Sequence, residues 1–184
     1  GVEGPYPLQY VSNGLYIAVI LVILGLELWI PFMKGWGDIR SWTRADVIYF
    51  LLAAPIDALQ VFLLVGLLAQ TAQYHHYLRV LDVWPRHAPI LLQLLLATLL
   101  VDLFKYWYHR ATHEVPLLWR MHSIHHSLSR LEMLRASYFY PVDIFLTVGT
   151  GTLIMLMVGA SHELIIFHNV FAGITGLLNH SNAD

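Results

Sequence analysis

Between His109 and Ser127 the chain reads HRATHEVPLLWRMHSIHHS, which places His109, His113, His122, His125 and His126, out of 11 histidines in all, in one short segment. Neutral imidazole is a ligand for Fe, Zn, Cu and Ni. His109 and His113 are four residues apart, so on a continuing helix their rings project from one face, about 40° apart. On a helix His125 falls about 60° to one side of His122 and His126 about 40° to the other, which makes a second clustered face. Five imidazoles exceed what a single tetrahedral ion needs, and two metals are the simpler reading. The chain has 0 cysteines, so a metal site here uses nitrogen and oxygen ligands and no disulfide or thiolate chemistry is available.

Other residues join the set by position. His180, in NHSN at the end of the last apolar stretch, returns to the side on which the cluster lies and is read as a further ligand. His168 lies about three helical turns earlier, deeper in the apolar run. Asp102 precedes His109 by seven residues and Tyr106 precedes His113 by seven, so each sits two turns deeper on the face of its histidine. Both are candidate site residues for orienting the imidazoles, with Asp102 alternatively a structural ion pair with Lys105. His75, His76, His87 and His162 read as interfacial residues.

The elements that must carry these residues are apolar. Hydrophobic side chains make up 58% of the 184 residues and charged ones 12%, and the mean hydropathy is +0.61. That composition indicates a membrane protein. A net charge of −2, with aromatic residues in apolar runs, argues against a nucleic-acid partner. A helix spanning the hydrocarbon needs about 20 apolar residues, and three runs qualify: 14–33, whose only charge is Glu27, 47–69 and 89–108. Two shorter stretches, 142–158 and 164–178, flank GASHE and read as a helical hairpin. Lys34, Arg40, Arg44, Arg110, Arg120, Arg130 and Arg135 alternate to one side against Arg79 and Arg86 on the other, placing the histidine segment on the cytoplasmic side. The expectation is an all-α, polytopic membrane helix bundle with a cytoplasmic histidine-rich cap, in which residues 1–88 supply N-terminal transmembrane helices. No repeat or low-complexity tract interrupts it.

The stretch DLFKYWYHRATHEVPLLWRMHSIHHS resembles the fatty acid hydroxylase and sterol desaturase superfamily of integral membrane di-iron proteins. His109 and His113 match its first histidine box, and His122, His125 and His126 match its second, His-x-x-His-His. The later LRASYFYPVD is also similar, and the resemblance runs from about Val101 to Asp184. It implies that residues 89–184 are the catalytic region, that histidines hold two non-haem irons, and that O2 is consumed in hydroxylating or desaturating a lipid C–H bond. It further implies a hydrophobic substrate channel and an external electron donor, cytochrome b5-like or ferredoxin-like. Two departures stand out. Tyr140 occupies the place of the histidine in an HP pair, and the family's final His-x-x-His-His box is expected beyond Asp184, so the sequence is expected to be truncated and its metal site incomplete. Competing readings are a membrane metal or haem carrier and an inactive fragment of the family. Ser123 and Ser127 lie beside histidines, but no G-x-S-x-G supports a serine hydrolase.

Overall fold

A computed structural model describes residues 6–36, 42–61, 81 and 83–183. Among these are six α-helices: α1 Tyr6–Trp29, α2 Arg44–Val61, α3 Ile90–Glu114, α4 Pro116–His122, α5 Pro141–Val158 and α6 His162–Asn179. Short 3₁₀ turns cover His125–Ser127 and Met133–Ser137, and no strand occurs among the described residues. The chain is all-helical there, as its apolar runs suggest.

Element boundaries follow local chemistry. The first helix ends at Trp29, earlier than the apolar run, because Pro31 cannot donate to the ladder and restricts the residue before it. Thr43 and Asp46 form a reciprocal cap on α2: Thr43 Oγ1 accepts the Asp46 N–H at 3.2 Å and Asp46 Oδ2 accepts the Thr43 N–H at 2.8 Å. Residues 62–69 of the second apolar run, like His75, His76 and Arg79, lie outside the described residues. Helix α3 runs past Tyr108 to Glu114 and stops where Val115, extended at φ −96° and ψ 116°, precedes Pro116. Proline disfavours helical backbone in the residue before it but suits the first turn of a new helix, so α4 starts at once. Gly159 closes α5 in the left-handed region at φ 88°, and Ser161 Oγ then accepts the Leu164 N–H at 3.2 Å at the start of α6.

The chain divides into two compact units. One comprises residues 52–127 and 139–169. Its core packs Ala97 and Val101 of α3 with Met155, Leu156, Ala160, Leu164 and Ile165. At Gly151 an added Cβ would stand 2.8 Å from Val101 Cγ1, so glycine is what lets α5 approach α3 there. The far end of this pair is tied by polar bonds: Trp84 N–H donates to Val158 O at 3.0 Å, Arg86 Nε to Gly159 O at 2.9 Å, and Trp84 Nε1 to Gln93 Oε1 at 2.9 Å. Helices α3 and α5 are long and apolar enough to cross a membrane. Leu91, Leu95, Leu99 and Leu103, one helical turn apart on α3, are all exposed, as a lipid-facing stripe would be.

The other unit comprises residues 1–51, 128–138 and 170–184. Ile23, Met133, Ala136 and Leu177 form its core, flanked by Tyr16, Val19, Ile20, Leu24 and Phe50. Arg135 donates to Asp46 at 3.1 Å with both side chains largely buried. Burial opposes the Asp46 charge, but the hydrogen bonds from Arg135 and Thr43 prevail and hold its carboxyl below the ordinary value.

Candidate metal centre

The last turns of α3 carry His109 and His113, and the break at Val115–Pro116 starts the helix that carries His122. His122 is the last residue of α4, so the three histidines of the second group do not share one continuous helix: Ser123 and Ile124 form a turn, and His125–Ser127 is a 3₁₀ segment. His126 nevertheless returns to His122, its Nε2 lying 3.1 Å from that of His122. The pair on α3 matches it, with the Nε2 atoms of His109 and His113 at 3.2 Å. Ligand-capable nitrogens of all four residues lie within 4.8 Å of one another.

That donor set suits a metal ion. Imidazole nitrogens about 2.0–2.1 Å from a common ion fall about 2.9–3.4 Å from one another in octahedral or tetrahedral arrangements, and the two close pairs are within that range. His122 is buried, whereas His109, His113 and His126 are exposed at the end of the unit. Trp119 lies against this face, its ring centroid 5.3 Å from that of His113 and 5.9 Å from that of His126. His125 stands beside the group, stacked on Phe139 at 4.0 Å and 15°, with its ring 5.3 Å from that of His126.

Asp143 organises the buried side of the cluster. It is 1% exposed, and its Oδ2 lies 2.8 Å from His122 Nδ1 while its Oδ1 accepts the Tyr108 hydroxyl at 2.7 Å. An ionised carboxylate only accepts, so His122 carries its proton on Nδ1 and turns the Nε2 lone pair toward the other histidines. Asp143 is the third residue of α5, two positions after Pro141, where the helix N-terminus favours negative charge. Its role was not apparent from sequence, although it closes the LRASYFYPVD stretch; Tyr108 and Asp143 are 35 residues apart and only the packing of α3 against α5 joins them.

The remaining candidates fall elsewhere. Asp102 is exposed, and Tyr106 is 57% exposed with its ring edge-on to Trp107 at 5.4 Å. His168 is buried on α6 at 2% exposure, next to Asn169, whose Nδ2 donates to Thr152 Oγ1 at 3.3 Å. His180 belongs to the other unit. Its Nδ1 lies 2.8 Å from Gly176 O, and because a carbonyl only accepts, Nδ1 carries the proton of that bond.

Comparison with known proteins bears on the same region. A family model described as fatty acid hydroxylase matches residues 94–184, which include the histidine cluster, Asp143 and His180. An ornithine lipid hydroxylase, OlsE, of Rhizobium tropici is 28% identical over 180 residues, covering 94% of this chain and 53% of its own length. A fatty acid hydroxylase, vlmA, of Lecanicillium sp is 32% identical over 112 residues, covering 58% of this chain and 30% of its own length. The chain thus spans about half, or less, of the length of these curated relatives. No solved structure matches.

Proposed function

Since the chain belongs, through residues 94–184, to the fatty acid hydroxylase and sterol desaturase superfamily, we propose that it is a membrane-bound di-iron oxygenase that hydroxylates a lipid C–H bond. The observation that carries this reading is the convergence of His109, His113, His122 and His126 within 4.8 Å at one end of an apolar helix pair. Bound iron would supply the oxygen activation needed to open a strong C–H bond, which acid–base side chains cannot do. His109, His113, His122, His125, His126 and His180 are the proposed ligands. Asp143 keeps His122 in the tautomer that presents Nε2, and Tyr108 holds Asp143 in turn. Trp119 and Phe139 limit the swing of His126 and His125 by ring contact. Asp102 and Tyr106 remain proposed to act on ligand orientation from deeper on α3.

Both curated relatives are named hydroxylases, one of an ornithine lipid and one of a fatty acid, which supports hydroxylation and a lipid substrate. Inserting one oxygen atom of O2 while reducing the other to water consumes two electrons, and the reading assigns their delivery to a separate cytochrome b5-like or ferredoxin-like protein. The bundle is read as polytopic, with the histidine cluster facing the cytoplasm.

The test is elemental analysis of detergent-purified protein together with a lipid hydroxylation assay. We expect iron in the wild type, with His109→Ala and His122→Ala each losing most of it and all activity while still inserting into membranes. Iron content unchanged in both variants would refute the site, and haem in place of non-haem iron would favour a carrier.

A further inference from the structure

Glu27 is the one charge in the first apolar run, and its surroundings give it a definite task. The residue is 2% exposed. Its Oε1 accepts two backbone N–H groups, from Met133 and from Asn182, each at 2.7 Å, joining chain positions 106 and 155 residues away. Asn182 extends the clamp: its Oδ1 accepts the Met33 N–H at 2.9 Å, its Nδ2 donates to Met33 O at 3.3 Å, and its carbonyl accepts the Phe32 N–H at 3.0 Å. The chain leaving α6 is therefore bonded to α1 and to the residues just after it, two positions beyond His180.

His180 is held from both sides by this arrangement. Its own helix fixes the ring through Gly176 O at 2.8 Å and the backbone through Leu177 O at 3.2 Å, while Glu27 fixes the backbone two residues on. A carboxylate is costly to bury unless hydrogen-bonded, and bonds from N–H groups to an ionised oxygen are among the stronger ones. Replacing it with an apolar side chain would strand two buried donors at once. We propose that Glu27 is a positioning residue for His180, clamping the Asn182 amide so that the His180 imidazole is presented in one place as a ligand. The proposal rests on the metal-centre reading given above for His180.

Glutamine separates the clamp from the charge. Its Oε1 can accept the same two N–H groups, and its side chain carries no charge. Alanine removes the acceptor. The experiment is hydrogen–deuterium exchange on detergent-purified wild type, Glu27→Ala, Glu27→Gln and His180→Ala, with iron content and the iron spectrum recorded on the same samples and on His109→Ala. Glu27→Ala should accelerate amide exchange at Asn182 and Met133 by about tenfold or more and reproduce the iron loss and altered spectrum of His180→Ala. Glu27→Gln should stay near wild type in both.

Wild-type exchange in Glu27→Ala would overturn the clamp. Faster exchange with iron and spectrum intact, where His180→Ala changes them, would overturn the positioning role while leaving the metal reading standing. Iron lost in His109→Ala but intact in His180→Ala would likewise overturn the proposal alone. Iron intact in both histidine variants would instead refute the metal reading, with exchange still deciding the clamp. Should Glu27→Ala fail to accumulate, Glu27→Asp, one methylene shorter, serves in its place.

Discussion

At the level of single residues, Asp143 holds the buried side of the histidine cluster. Each carboxylate oxygen receives one donor, Tyr108 at 2.7 Å and His122 at 2.8 Å. Asparagine has one acceptor and one donor end, so Asp143→Asn must set its NH₂ against either the Tyr108 hydroxyl or the His122 N–H. Carboxylates that orient a ligand imidazole are worth about 10–100-fold in metal affinity. We expect Asp143→Asn to weaken iron binding by about that factor in a chelator competition, with Tyr108→Phe smaller because the carboxylate keeps its bond to His122. Equal, unperturbed affinity in both variants would show that Asp143 does not orient the ligand. The five clustered histidines are legible from type and spacing, because the i, i+4 relation on α3 is local. Asp143 is not, since a carboxylate in the first turn of a helix is an ordinary helix-start residue until the opposite helix is known.

Among the elements, the α3–α4 break and the α3–α5 contact do the positioning. Val115–Pro116 ends one helix and starts the next within two residues, which places His122 at the end of a short helix instead of on an extension of α3. The α3–α5 contact depends on Gly151, where a methyl group would meet Val101 Cγ1 at 2.8 Å. Alanine improves helix propensity over glycine by about 1 kcal/mol, whereas overpacking a filled core costs about 1–3 kcal/mol. The steric cost should win, because Val101 is 1% exposed and β-branched, with little rotamer freedom to retreat. Gly151→Ala should lower the thermal midpoint in detergent, and combining it with Val101→Ala should cost less than the two single changes summed, by about 1 kcal/mol. Strict additivity would show that the two residues do not meet.

For the molecule as a whole, the exposed leucine stripe on α3 and the apolar length of α3 and α5 associate the protein with a membrane. The absence of cysteine makes orientation directly measurable. Ala88→Cys precedes α3 and Ser127→Cys lies in the histidine segment beyond it, so a helix that crosses the bilayer puts the two thiols on opposite sides. In sealed vesicles of known orientation, a membrane-impermeant maleimide should label Ser127→Cys from the cytoplasmic face only and Ala88→Cys from the other. Labelling of both from one face would mean that α3 lies on the membrane or that the pair does not cross it.

Composition, the apolar runs and the histidine spacing by themselves determined the helical character of the described residues, their membrane-length apolar helices, the resemblance to this superfamily and a histidine cluster at one helix end, because each of those signals is carried by neighbours in the chain. Tertiary structure decided what distant residues do to one another. It gave Glu27 two amide partners in place of lipid, joined Tyr108 and Asp143 to His122, and set Asp102 and Tyr106 on an exposed face of α3. Helical periodicity says which residues share a face but not what that face meets. A buried carboxylate acquires its meaning from donors that only the folded chain brings within hydrogen-bonding distance.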